Sequence, residues 1–87
     1  MSQLIRNQDA QLAVCYMLEK GFSARMLRSG IIYFSRRDGI CWILQPGDDG
    51  PEFQRHAGPL TLQPYGNPIP VAALLGDVLQ TLKQSAA

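Results

Sequence analysis

The sequence is poor in the residues that most chemistry requires: one histidine, one tryptophan and two cysteines in 87 residues. A lone His56 without a close cysteine pair assembles no local zinc site, and it reads as a loop residue rather than a catalytic base. Cys15 and Cys41 lie far apart in apolar runs, which suits buried free thiols better than a disulfide. No glycine-rich phosphate loop is present. The acidic run "GDDGPE" (Asp48, Asp49, Glu52) lacks calcium-loop spacing and reads as a solvated turn. These absences argue against an enzyme and give no reason to expect a metal or cofactor.

Charge of one sign is also scarce. Eight basic and seven acidic residues leave a net charge of +1, without the basic excess of a strong nucleic-acid binder. No apolar run approaches the roughly 20 residues that cross a bilayer, and the opening "MSQLIRNQDAQ" is too polar for a signal peptide. A soluble, cytoplasmic protein with no membrane partner is the expectation. What is plentiful is aliphatic content: 46% of residues are hydrophobic, more than a disordered chain carries. The length suits a single small α+β domain over residues 1–87.

The pattern begins and ends in helix. "NQDAQLAVCYMLEKG" offers Asn7 as N-cap, Asp9 in the first turn and Gly21 as a left-handed stop. Ala10, Ala13, Val14, Met17 and Leu18 recur at helical spacing as a buried stripe, widened by Leu12, Cys15 and Tyr16. At the far end Pro70 precedes Val71, Leu74, Leu75, Val78, Leu79 and Leu82, a second stripe at the same spacing. Gly76 inside it suggests close approach of another backbone.

Between the helices lie candidate strands. "FSARMLR" leads through Ser29-Gly30 into "IIYFSRR", and Asp38-Gly39 leads into "ICWILQ"; β-branched and aromatic residues favour a pleated surface here. Residues 23–29 also fit a short helix. Residues 46–70 hold all six prolines and read as a long connection with one or two edge strands, around "EFQRH" and "LTLQ". The expected fold is α+β: an N-terminal helix, a three-stranded antiparallel meander with a possible extra edge strand, and a C-terminal helix.

That order resembles a double-stranded RNA-binding domain. Such a domain carries a basic run at the start of its second helix, where this chain reads "NPIPVAALLGD" without a positive charge, so the function does not carry over. The helical reading of "LEKGFSARMLRSG", followed by the hairpin "IIYFSRRDGICWIL", is similar to a winged helix, with a recognition segment of only about seven residues.

Two-residue turns at Ser29-Gly30 and Asp38-Gly39 would sort side chains onto two faces. One face would hold Phe22, Ala24, Met26, Ile31, Tyr33, Ile40, Trp42 and Leu44 as the core. The other would hold Arg25, Leu27, Ile32, Phe34, Arg36, Cys41 and Ile43, an apolar face edged with arginine. Arginine beside an aromatic is enriched at binding hot spots. Arg25, Leu27, Phe34, Arg36 and Ile43 are therefore the candidate partner-binding residues. The expected function is a small non-catalytic protein–protein interaction module, binding another protein or itself as a homodimer. The alternative is a nucleic-acid-binding regulator using Arg25, Arg28, Arg36 and Arg37.

Overall fold

The computed structural model describes residues 7–58 and 61–86. Helix α1 spans Gln8–Glu19 and α2 spans Val71–Ala86. Between them run β1 (Ser23–Met26), β2 (Ile32–Ser35), β3 (Cys41–Gly47), β4 (Gly50–Gly58), β5 (Thr61–Pro64) and the two-residue β6 (Ile69–Pro70). The chain is α+β, with helices at both ends flanking one antiparallel sheet. The first five strands lie in sequence order as a meander, and β6 pairs with β4 through Glu52–Pro70 and Phe53–Ile69. Residues 23–26 are strand rather than helix.

α1 is closed at both ends by local chemistry. Asn7 Oδ1 accepts from the Ala10 N–H at 3.1 Å. At the other end Gly21 takes φ +90°, the Phe22 N–H donates to the Met17 carbonyl, and the Gly21 N–H donates to that of Leu18, both at 3.1 Å. This Schellman arrangement turns Phe22 back under the last turn. Replacing Asn7 with alanine is expected to cost about 0.5–2 kcal/mol, and with serine far less, because only the former removes the cap acceptor. A urea midpoint measured for both variants checks this.

The longest strand is the one the prolines disguised. β4 is nine residues long and pairs with β3 on one side and with β5 and β6 on the other. Pro46 and Pro51 face each other beside the Asp48-Asp49 turn, beyond the point where β2 stops pairing with β3 at Ile32–Leu44. No neighbouring strand there requires the missing N–H of Pro46, so the proline is tolerated. The sheet is therefore wider than a three-stranded meander.

The two hairpin turns correct the expected faces. The Leu27 N–H donates to the Ile31 carbonyl at 2.8 Å, and the Arg36 N–H to that of Ile40 at 3.1 Å. Each loop thus holds three residues, 28–30 and 37–39, and ends on a glycine at positive φ, Gly30 at +88° and Gly39 at +86°. These are type I turns closed by a glycine bulge. Each turn is one residue longer than expected, so each inverts the alternation once. β1 and β3 keep their expected faces, while β2, lying between the two turns, is inverted relative to both.

Ile32 and Phe34 consequently point into the core, and Tyr33 points out. The core joins Ala10, Ala13 and Met17 of α1, Val71, Leu75 and Leu79 of α2, and Phe22, Ile32, Phe34, Leu44 and Phe53 from the sheet side. Phe34 and Phe53 meet at 6.2 Å, and Trp42 meets Phe53 edge-on at 6.1 Å. Leu18 and Cys15 of α1 are exposed rather than buried. α2 bends at Leu75 (φ −110°, ψ 15°), next to Gly76. A side chain at Gly76 would meet open space, so this glycine marks the bend and not a backbone approach. The expected place of Leu82 in the stripe lies outside the described side chains.

Candidate functional site

The five candidate contact residues do not share a face. Arg25, Tyr33, Ile43 and Gln54 are aligned across β1 to β4 on the outer face, with Leu27 just beyond β1. Phe34 has no exposed surface and belongs to the core, because the three-residue turns invert β2. Arg36 goes with it to the helix side.

Arg36 has a structural task there. Its guanidinium stacks over Phe22 at 4.6 Å, and Nη1 donates to the Lys20 carbonyl at 3.2 Å. Nε and Nη2 donate to Asp38 Oδ2 at 3.0 and 2.6 Å. A cation thus covers the carbonyl end of α1, where it suits the helix dipole, and the β2–β3 turn is fastened to that end. The same contact holds the Asp38 carboxyl below the usual carboxylate range. Arg37 is exposed. Arg25 and Arg28 lie toward the other turn, so the four arginines form no single basic surface.

The outer face is not an open patch. Cys41 has no exposed surface there, and Ile43, Gln54 and His56 are buried beside it. Gln54 Nε2 donates to the carbonyls of Arg55, Tyr65 and Gly66 at 3.1, 3.4 and 3.0 Å. His56 is a strand residue paired with Cys41, not a loop residue. Among the described residues no buried side-chain nitrogen or oxygen lacks a hydrogen-bond partner.

Tyr33 stands on this face, and its phenol is pushed up to about 12, first by burial and then by its hydrogen bond with the Cys41 thiol. A raised phenol pKa favours the folded chain while the phenol stays neutral. That contribution is complete below the ordinary value of about 10 and is lost as pH rises through about 12. Stability measured across this window is expected to fall in the native chain and to fall less in Tyr33→Phe. Equal slopes would remove Tyr33 as the source.

An arginine-edged apolar surface does exist, on the helix side. A cleft of about 300 Å³ opens between α1, α2 and the sheet. Met17, Phe22, Trp42, Phe53 and Leu75 supply its apolar lining, with Tyr16, Ile40 and Leu74 beside them. Three cations also line it: Lys20, Arg36 and Arg55. Lys20 Nζ lies 5.4 Å from the Tyr16 ring, and the Arg55 guanidinium lies 5.9 Å from Trp42 and 5.5 Å from Tyr65. Cation–π contacts of this kind hold a charge in place without neutralising it. No carboxylate lines the cleft, and neither Lys20 nor Arg55 has a carboxylate partner among the described residues.

The sequence concealed this site because its parts come from four separate elements, α1, β3, β4 and α2, and from the α1–β1 and β2–β3 connections. Arg55 and Phe53 lie in "EFQRH", which the sequence suggests as a short edge strand and which the structure places inside the sheet as part of β4. Their two-residue spacing within "EFQRH" was the available signal, since alternate strand positions share a face.

Among the described residues no helix is long and apolar enough to cross a membrane, and no group of three or more acidic, histidine or cysteine side chains could hold a metal ion. The chain matches no known family model, no curated protein and no solved structure.

Proposed function

We propose that this chain is a non-catalytic binding module that takes a protein partner in the cleft between its helices and its sheet. The observation that carries the reading is the lining itself: an aromatic and aliphatic floor beside three cations, two of which have no carboxylate partner among the described residues. Such a surface combines apolar area with charge for orientation, the composition of interface hot spots. The outer sheet face supports the reading less well, since Cys41 and Ile43 are already buried.

The apolar lining continues outside the cleft. Leu74 is 45% exposed and Val78, one turn further along α2, is 39% exposed. The residues that follow them, Leu75 and Leu79, are both buried across the bend, so Leu74 and Val78 flank the buried stripe on the same side and extend the contact surface along α2. The same strip could serve a second copy of the chain.

A photo-crosslinking benzophenone side chain placed at Leu74 tests this, with the same group at exposed Arg28 in the 28–30 turn as control. Irradiation in cells is expected to give an adduct from position 74 alone. An adduct of twice the chain mass would identify the partner as a second copy. No adduct at 74, or equal adducts at both positions, would overturn the proposed surface.

A further inference from the structure

We infer, resting on the cleft reading above, that the partner presents an acidic amphipathic helix: apolar anchors along one side, with carboxylates flanking them. Charge complementarity carries the inference. Lys20 and Arg55 line the cleft without a carboxylate partner, Arg36 lines it already paired with Asp38, and no acidic side chain among the described residues lines it. The lining therefore carries an unbalanced positive charge although the chain as a whole carries only +1. A partner that buried basic side chains here would meet like charges in a partly desolvated site, whereas carboxylates would find unpaired donors.

The shape selects a helix over a small amphiphile. At about 300 Å³ the cleft stands at the lower end of ligand pockets. Its apolar surface runs on through Leu74 to Val78 along α2, beyond what a compact ligand covers. An elongated apolar strip beside a helix is the setting in which an amphipathic helix docks through residues three and four apart. A second copy of this chain is a poorer fit, because the exposed side of α2 offers only Asp77 as a carboxylate beside Leu74 and Val78.

Trp42, the one tryptophan, lines the cleft and serves as reporter. Three probes are titrated into the full chain: a leucine-striped helical peptide with glutamates on its other positions, the same stripe with lysines, and dodecanoate. The glutamate peptide is expected to shift Trp42 emission and to bind about tenfold or more tighter than the lysine peptide. Its affinity should fall between about 50 and about 500 mM salt, as rim charges are screened. Lys20→Glu, at the exposed end of α1, should narrow the preference severalfold. Arg55→Gln should do so as well without introducing a charge into the sheet.

Equal binding of both peptides would overturn the acidic partner and leave the cleft as a binding surface. Binding of dodecanoate alone would overturn the polypeptide partner. Silence of Trp42 towards all three probes, together with no adduct at position 74, would overturn both the inference and the reading beneath it.

Discussion

Phe34→Ala is expected to lower stability by about 3–5 kcal/mol, the cost of removing a fully buried phenylalanine and leaving a cavity. Phe34 has no exposed surface, packs against Phe53 at 6.2 Å, and lies in a cluster that includes residues of both helices. For a chain of this length the whole stability is on the order of 4–13 kcal/mol, so the variant should lose a large share of it and unfold at a much lower urea concentration. Phe34→Glu should not fold, because it places a charge in the same cavity without a partner. Arg37→Ala, three residues away and exposed, should change stability by less than about 0.5 kcal/mol. Urea denaturation followed by circular dichroism reads all three. A loss below about 1 kcal/mol for Phe34→Ala would put Phe34 on the outer face, the position that two-residue turns would give it.

Phe53→Ala should be comparably severe, about 3–5 kcal/mol, with an optical signature as well. Phe53 is the hinge of the aromatic cluster, in contact with Phe34 on one side and edge-on to Trp42 at 6.1 Å on the other. It also forms part of the cleft floor. Its removal opens that floor to water and takes from Trp42 a contact worth about 0.5–1.5 kcal/mol beyond its buried area. Trp42 emission is therefore expected to move to longer wavelength in the folded fraction of the variant. Phe53→Leu, which keeps most of the apolar volume, should lose less stability and still lose the edge-on contact. An unchanged emission in both variants would mean that Phe53 does not support the cleft.

These two phenylalanines separate what could be read in advance from what could not. Both helices were legible because their ends are written in adjacent residues: Asn7 and Gly21 around α1, Pro70 before α2. Their buried stripes follow from a period of 3.6 acting on Ala10, Ala13 and Met17, and on Val71, Leu75 and Leu79. The hairpins were legible as hairpins, since Gly30 and Gly39 must adopt positive φ somewhere. Their loop length was not. A glycine can be the second residue of a two-residue turn or the closing residue of a three-residue one, and only the pairing partner across the turn distinguishes them.

That one-residue ambiguity decided the candidate site. With period-two alternation, a single extra residue exchanges every side chain of a strand between faces. It moved Phe34 and Arg36 to the helix side and left Arg25, Leu27 and Ile43 behind. β4 was obscured for a related reason: Pro46 and Pro51 discourage strand pairing in general, and only the position of their neighbours shows that no ladder bond is lost.

The sequence by itself determined the α+β class, the helix at each end, the caps of α1 and the places where the strands turn, because each depends on interactions within a few residues. The tertiary structure decided which face of β2 is core and that β4 lies within the sheet. It also decided that Lys20, Arg36 and Arg55 gather around Trp42 and Phe53. Those outcomes depend on register between strands and on packing across elements, where a shift of one residue changes nothing local and inverts what is buried.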